Sequence, residues 1–329
     1  MSIEKSKPTV SVIIPTYHGD KYLERAICSV LNQVYKNIEL IVVDDNGVNT
    51  EYHKKTKKII EKYQNKILYI VHYLNKKGAA ARNSGLKACR GEFICFLDDD
   101  DLMLPERISK CVELLMQNPE YDAVFTDVLC TDEKLNPMKI VKVRKNGDCH
   151  EEILLQNMFF GTGSNIFITR KAFIETGYFD EKFIRHQDLE YMLRFYRNFQ
   201  SVSVPEILLI KSKNGSNNIP NYEKLKKTKE MYFNKFQIEI NKLSEKDKKI
   251  FYKRHNDELK SVTDDNTFIE KLHNNGMKNI RDTIKYCIYV MFPKTSLFPL
   301  VNRVRKYIKG RKLKKEMDDE LIEFIKTFR

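Results

Sequence analysis

The order of strand-like and helix-like segments in the first 130 residues constrains the fold more than any other feature of this sequence. Apolar runs typical of strands buried on both faces alternate with segments whose apolar residues recur at helical spacing. The predicted strands are Val10–Ile14, Ile38–Val43, Ile67–Val71, Phe93–Leu97 and Ala123–Phe125. We expect Pro15 to end the first strand and Asp20 to cap the helix that follows. Further along the chain, Val202–Val204 is a predicted short strand that we expect Pro205 to end. This β-α-β-α order predicts an α/β fold with a mainly parallel sheet and helices on both faces.

Polar and acidic residues follow three of these strands at the point where each strand ends. A Pro-Thr-Tyr segment (residues 15–17) follows the first strand, Asp44 and Asp45 follow the second, and the run Asp98–Asp101 follows the fourth. In open sheets of this kind, ligands bind beyond the carboxyl ends of the strands. Adjacent carboxylates repel each other, and a hard divalent cation such as Mg²⁺ or Mn²⁺ would relieve that repulsion. A solvated acidic turn, or a helix cap before Pro105, is the alternative interpretation of the run.

Four sequence blocks in this region resemble those of the family 2 inverting glycosyltransferases, whose nucleotide-sugar-binding domain has the Rossmann-like fold called GT-A. The blocks are VSVIIPTY (10–17), IVVDDNG (41–47), GAAARNSG (78–85) and FLDDDD (96–101). The last two are similar to the family's G-x-x-x-A-R-N-x-G and D-x-D signatures. The likeness continues to about residue 210. It implies a sugar transfer from a nucleotide diphosphate donor, with a UDP-sugar as the favoured donor.

The resemblance implies roles for residues on the donor side of the site. Pro15 and Tyr17 would line the base pocket, and the ring of Tyr17 would offer a face for stacking. Asp45 would accept a hydrogen bond from the uracil or the ribose. Arg82 would approach the pyrophosphate or the base, whereas the alternative for this residue is an arginine on the surface of a helix.

The acidic run would supply the metal site. The resemblance makes Asp98 and Asp100 the D-x-D pair, with Asp100 as the favoured direct ligand of Mn²⁺ or Mg²⁺ and Asp98 nearer the ribose or a metal-bound water. Asp99 would lie between them in the donor site, and we expect Asp101 to cap the following helix. A divalent cation would neutralise the charge that develops on the leaving nucleoside diphosphate.

An inverting transfer needs a carboxylate that takes the proton from the acceptor hydroxyl. In the family, this base is the aspartate of an E-D pair at the start of a helix. The matching segment here is RHQDLE (185–190), which makes Asp188 the predicted base, with a plain helix cap as the alternative. Gln187 replaces the usual glutamate. His186 would face the acceptor or the diphosphate, or have a structural role, and Glu190 is a secondary candidate on a different face of the helix.

The loop Gly161–Asn165 resembles the small-residue segment that lines the family's acceptor cleft. Gly163 and Ser164 are therefore assigned to the acceptor side, although an ordinary flexible turn would have the same composition. The chain has no tryptophan and therefore lacks the Q-x-x-R-W motif of processive polysaccharide synthases. These observations favour the transfer of a single sugar.

The basic residues are concentrated in the last third of the chain. Residues 1–210 carry 29 basic and 29 acidic side chains, so residues 211–329 carry the whole net charge of +13. Within them, residues 278–315 interleave lysine and arginine with apolar residues, which suits an anionic membrane surface. The alternative is a helical domain with solvated lysines, and nucleic-acid binding is disfavoured because no recognition motif occurs. We expect no membrane-spanning segment and no signal peptide, because the apolar runs are short.

Together these observations predict two regions. Residues 1–210 would form a GT-A catalytic domain, with nucleotide-sugar binding in about residues 1–130 and the acceptor side in about residues 131–210. Residues 211–329 would form a basic, mainly helical region. The seven scattered cysteines include no CxxC pair, so we expect a reduced, cytoplasmic protein. The basic region leads us to expect that this protein is peripheral at the inner face of the cell membrane.

The predicted activity is a metal-assisted, inverting transfer of one sugar to a hydroxyl of a growing surface glycan, which a lipid would carry if the basic region binds membrane. One alternative is a sugar-phosphate nucleotidyltransferase, although the Pro-Thr-Tyr segment after the first strand lacks the glycine-rich loop of such enzymes. The other alternative is a non-catalytic scaffold that binds nucleotide or glycan.

Overall fold

The computed structural model of the protein describes residues 7–157, 159–213, 221–262 and 317–328. Its strands in chain order are β1 (Val10–Thr16), β2 (Ile38–Asp44), β3 (Ile67–Val71), β4 (Phe93–Phe96), β5 (Leu102–Met103), β6 (Ala123–Asp132), β7 (Pro137–Val141), β8 (Phe167–Thr169) and β9 (Ser201–Lys213). Its helices are α1 (Leu23–Leu31), α2 (Glu51–Glu61), α3 (Lys77–Ala88), α4 (Arg107–Gln117), α5 (His150–Leu154), α6 (Arg170–Thr176), α7 (Gln187–Phe195), α8 (Tyr222–Lys235), α9 (Gln237–Lys242), α10 (Glu245–Ser261) and α11 (Asp319–Thr327). A 3₁₀ turn covers Gly163–Asn165.

The strands of the described residues form one sheet in the order β3-β2-β1-β4-β8-β6-β9-β5, with β7 beside β6. Strands β3, β2, β1 and β4 are mutually parallel, as are β6 and β9, while β8 runs antiparallel between β4 and β6. Side chains of β1 and β2 such as Val12, Ile13 and Ile41 are fully buried, because helices cover both faces of these strands. The predicted α/β fold with a mainly parallel sheet is confirmed.

Two expectations about the start of the fold are wrong. Pro15 does not end β1, because the strand continues to Thr16 and Pro15 pairs in register with Val43. Helix α1 begins after Tyr22 without a side-chain cap. The carboxylate of Asp20 instead accepts a hydrogen bond from Nζ of Lys55 at 3.0 Å.

Strands β6 and β9 are longer than the sequence pattern predicts, and together they extend the sheet beyond the expected short segments. Residues Val204 and Ile207 pair with Thr126 and Asp127, so Pro205 and its neighbour bulge out of the register. A proline has no N–H to donate to the ladder and is tolerated at such a bulge. The strand therefore continues through Pro205, which we expected to end it.

The chain divides into two compact units, one formed by Met1–Gly215 with Asp319–Arg329 and the other by Ser216–Asp318. The described part of the second unit is helical and contains α8, α9 and α10. Asn221 caps α8 and Ser244 caps α10, each with a side-chain oxygen that accepts a backbone N–H. In the described parts of the chain, no helix combines the length and the apolar character needed to cross a bilayer. The proposed membrane-surface segment, residues 278–315, lies outside the described residues.

Candidate functional site

The acidic run lies in the loop between β4 and β5, at the carboxyl end of the parallel strands. Asp99 accepts hydrogen bonds from Oγ1 of Thr16 at 2.6 Å and from the backbone N–H of Tyr17 at 3.3 Å. A Cβ atom on Gly19 would lie 1.8 Å from Oδ2 of Asp99, so only glycine fits there. Burial raises the pKa of Asp99 to about 7, and the hydrogen bond from Thr16 opposes that rise.

Asp101 does not cap the next helix, as the sequence led us to expect. Helix α4 begins after Glu106 and has no side-chain cap. Asp101 is buried and accepts hydrogen bonds from Oγ of Ser164 at 2.6 Å and from the backbone N–H of Ser212 at 3.0 Å. Burial, followed by the charge of Asp100, raises the pKa of Asp101 well above its ordinary value. This carboxylate joins the acidic loop to the 3₁₀ turn and to β9.

The carboxylate of Asp100 lies in an acidic, partly buried environment. Burial and the charges of Asp98 and Asp99 raise its pKa to about 7. Its backbone carbonyl accepts a hydrogen bond from Nη2 of Arg25 at 3.2 Å, but no side chain in the described ranges donates to the carboxylate itself. Asp100 thus lies close to two other carboxylates, those of Asp99 and the half-buried Asp98.

These residues fit a divalent cation that shares its shell with a substrate. In the described part of the chain, no group of three or more His, Cys, Asp or Glu side chains is placed to hold a metal ion alone. Mg²⁺ characteristically uses one or two carboxylates, with water and substrate phosphates as its other ligands. Asp98 and Asp100 would supply those carboxylates.

Arg82 joins the acidic loop to the start of α7. Its Nη2 atom donates to Oδ1 of Asp98 at 2.6 Å, and its Nη1 atom donates to Oε1 of Gln187 at 3.0 Å. A Cβ atom on Gly78 would lie 3.1 Å from Nη1 of Arg82, so the absence of a side chain there leaves room for the guanidinium. Arg82 therefore connects Asp98 and Gln187, two predicted site residues that are distant in the sequence.

Asp188, the predicted base, lies in the first turn of α7 next to the 3₁₀ turn. Its Oδ1 atom accepts the backbone N–H of Leu189 at 3.0 Å, and its Oδ2 atom accepts no hydrogen bond from the described residues. A Cβ atom on Gly163 would lie 3.9 Å from Oδ2 of Asp188 and 4.0 Å from Nη2 of Arg82. Because Gly163 has no side chain, a space remains next to the carboxylate of Asp188 and the guanidinium of Arg82.

The neighbours of Asp188 have different environments. His186 precedes α7 in the left-handed conformation, with φ of 60°. Glu190 is completely buried and forms two hydrogen bonds with Arg194, at 2.6 and 3.0 Å. Because both oxygens of Glu190 are engaged in this ion pair, its geometry is that of a structural carboxylate.

Aromatic rings form a stack where β1 ends. The rings of Tyr17 and His18 lie 3.9 Å apart, and those of His18 and Tyr52 lie 3.8 Å apart. Tyr17 is 49% exposed, so part of its ring is accessible to a planar ligand. Pro15 precedes this stack within β1.

Asp45 is buried and its carboxylate organises the loop before α3. It accepts hydrogen bonds from Nδ1 of His72, Nδ2 of Asn75 and the backbone N–H groups of Lys76 and Lys77, all at 2.7 to 2.8 Å. A carboxylate offers about four acceptor positions. The predicted role of Asp45 toward uracil or ribose, like the ligand roles of the other site residues, stays a prediction.

The sequence interpretation missed several residues that shape this site. Thr16, Gly19, Arg25 and Ser212 all contact the acidic loop. Gly19 carries a usable signal, because a glycine shortly after a strand commonly marks a close approach of the backbone. Ser212 and Arg25 carry no such signal, since their contacts depend on how distant segments meet.

Comparison with known proteins identifies the family of this chain. Residues 11–177 match the model of the family described as glycosyl transferase family 2. An uncharacterized glycosyltransferase of Methanocaldococcus jannaschii is 32% identical over 215 residues, which are 63% of this chain and 71% of the relative. The GalNAc(5)-diNAcBac-PP-undecaprenol beta-1,3-glucosyltransferase of Campylobacter jejuni is 34% identical over 181 residues, or 54% of this chain and 56% of that protein.

Solved structures show the same fold. The crystal structure of S. aureus TarS 1-349 in complex with UDP-GlcNAc superposes with a TM-score of 0.58 at 18% identity, covering 84% of this chain and 78% of that one. The complex of the same protein with UDP gives a TM-score of 0.53 at 20% identity, covering 69% of this chain and 66% of that one. The sheet with its acidic loop is that of a GT-A enzyme, and the chain belongs to glycosyl transferase family 2.

Proposed function

We propose that this glycosyltransferase moves a single sugar from a UDP-sugar to a hydroxyl of a glycan, with inversion at the anomeric carbon. The observation that carries the proposal is the contact of Arg82 with both Asp98 and Gln187, which brings the acidic loop and the start of α7 into one site. Two complexes of the structural neighbour TarS, with UDP and with UDP-GlcNAc, support a uridine diphosphate donor.

The chain's own residues supply the binding and the proton transfer. Tyr17 stacks on the base and Arg82 binds the diphosphate, while Asp98 and Asp100 would hold Mn²⁺ or Mg²⁺. When bound, such an ion neutralises charge on the diphosphate oxygens. Oδ2 of Asp188 takes the proton from the acceptor hydroxyl as that oxygen attacks the anomeric carbon. The bond from this carbon to the phosphate oxygen breaks, and the electron pair leaves with UDP.

The acceptor side lies around the 3₁₀ turn and the start of α7. Gly163 leaves space beside Asp188. Ser164 follows Gly163 in the sequence, and His186 and Gln187 directly precede Asp188. The name of the Campylobacter relative contains an undecaprenol diphosphate, which supports a lipid-linked glycan as the acceptor. Residues 278–315 would then hold the enzyme at an anionic, cytoplasmic membrane surface.

The proposal also divides the chain by function. Residues 1–210 would be the catalytic domain, with the donor bound by about residues 1–130 and the acceptor by about residues 131–210. Residues 211–329 would be the basic region that associates with membrane.

The variant Asp188→Asn tests the proposal. We expect it to lose turnover of a UDP-sugar while binding UDP like the wild-type protein, because an amide cannot accept the proton but leaves the donor end unchanged. Asp257→Asn, the same substitution at an exposed position of α10, is the control and should keep its turnover. Substantial turnover by Asp188→Asn would show that another group is the base.

A further inference from the structure

Arg107 is a buried cation that the proposed reaction does not use. It has no exposed surface and is the largest of the fully buried side chains in the described part of the chain. No carboxylate of those residues forms an ion pair with it, and its Nε atom has no hydrogen-bond partner there. Burying a charge without an ionic partner lowers stability, so this arginine needs another explanation.

The hydrogen bonds of Arg107 converge on one short segment. Its Nη1 atom donates to Oγ1 of Thr126 at 2.6 Å and to Oδ1 of Asn165 at 3.1 Å. Its Nη2 atom donates to the backbone carbonyl of Ser164 at 3.2 Å. Two of these three acceptors belong to the 3₁₀ turn Gly163–Asn165. The planar guanidinium therefore holds that turn in position.

The same turn supports the acidic loop through one hydroxyl. Oγ of Ser164 donates to Oδ2 of Asp101 at 2.6 Å and accepts the backbone N–H of Asp98 at 2.9 Å. The preceding residue, Gly163, lies against Asp188. A continuous path of hydrogen bonds thus leads from Arg107 through Ser164 to both ends of the acidic run.

We propose that Arg107 is a positioning residue that holds the Asp98–Asp101 loop in the geometry required for binding the donor diphosphate and its cation. The inference deepens the proposed function and rests on it. Arg107 contacts neither substrate nor metal; it acts through the carbonyl and the hydroxyl of Ser164. Ser164 bonds directly to Asp98, a predicted metal ligand, and mutation of such partners typically changes metal affinity or activity by about 10- to 100-fold.

The test measures UDP affinity by calorimetry on the full chain, with Mn²⁺ and with chelator. Arg107→Met keeps an unbranched side chain that can pack in the core but removes the charge and the hydrogen bonds, and we expect affinity with Mn²⁺ to fall about tenfold. Arg107→Lys keeps the positive charge but lacks the paired N–H donors of the guanidinium. Its UDP affinity should lie between those of Arg107→Met and the wild type. Thr228→Val is the control, because it removes the hydroxyl of a buried threonine that bonds the carbonyl of Lys224 within α8; it should lower the thermal midpoint but change affinity by no more than about twofold.

A double-mutant cycle with Ser164→Ala tests the path itself. If Arg107 acts through Ser164, the losses in affinity of Arg107→Lys and Ser164→Ala will be smaller in combination than their sum. Additive losses, or wild-type affinity in the folded Arg107 variants, would overturn the inference. If Arg107→Met does not fold, the cycle with Arg107→Lys decides alone. A wild-type protein that fails to bind UDP with Mn²⁺ would instead remove the proposed function.

Discussion

The guanidinium of Arg82 lies 2.6 Å from a carboxylate oxygen of Asp98 and, through its other terminal nitrogen, 3.0 Å from the amide oxygen of Gln187. Asp98 follows β4, whereas Gln187 begins the helix that carries Asp188. A planar fork with two donors can connect such groups, and a lysine ammonium cannot reproduce that geometry. The contact links the acidic loop to the start of α7, one residue before the candidate base.

Replacing Arg82 should weaken donor binding. Arg82→Ala removes two hydrogen bonds to polar partners and a positive charge near the diphosphate, so we expect UDP affinity to fall about tenfold or more. Arg82→Lys should recover part of this loss, since it restores the charge alone. Arg90→Ala, at an exposed position just after the same helix α3, serves as the control in the calorimetric titrations. Equal affinities for Arg82→Ala and Arg90→Ala would exclude Arg82 from the donor site.

The neutral side chain at position 187 should favour the binding of an anionic donor. Gln187→Glu places a carboxylate next to Nη1 of Arg82, and we expect it to lower UDP affinity by about three- to tenfold by offsetting the guanidinium charge. Gln187→Ala removes the hydrogen bond without adding charge and should have the smaller effect. The difference between the two variants should shrink at high salt, because ions screen the added charge. Unchanged or tighter binding by Gln187→Glu would contradict this explanation.

Glu190 should contribute to stability, in contrast with Asp188. Glu190→Ala leaves Arg194 without the carboxylate that it contacts at 2.6 Å, so we expect the free energy of unfolding to fall by about 3 kcal/mol. Urea denaturation measures this loss, and Glu175→Ala at an exposed position of α6 is the control. If Glu190→Ala and Glu175→Ala unfold at the same urea concentration, the ion pair is not stabilising.

Local sequence patterns predicted the first parallel strands of the sheet well. Strand β3 has the predicted bounds Ile67–Val71, and the acidic run follows β4 as expected. The prediction failed at Pro15 and Pro205, because each proline occupies a place in its strand where the missing N–H is tolerated. Whether a proline ends a strand depends on the neighbouring strand, which the local sequence does not reveal.

The candidate site was predictable to the extent that its residues lie in short motifs. Asp98, Arg82 and Asp188 were identified from three such motifs. In the structure Arg82 contacts Asp98, and both Arg82 and Asp188 lie beside Gly163. The prediction that Asp101 caps a helix was wrong, because its actual partners, Ser164 and Ser212, are 63 and 111 residues away in the sequence. Contacts of this kind arise only when the sheet assembles.

The central claim is that donor binding depends on a cation held by Asp98 and Asp100, and calorimetric titration of UDP tests it most directly. The wild-type protein should bind UDP with Mn²⁺ and lose at least about tenfold in affinity with chelator present. Asp100→Ala should bind weakly under both conditions, while Asp257→Ala, at an exposed position of α10, should behave like the wild type. Equal UDP affinity with and without chelator, retained after Asp100→Ala, would contradict the account.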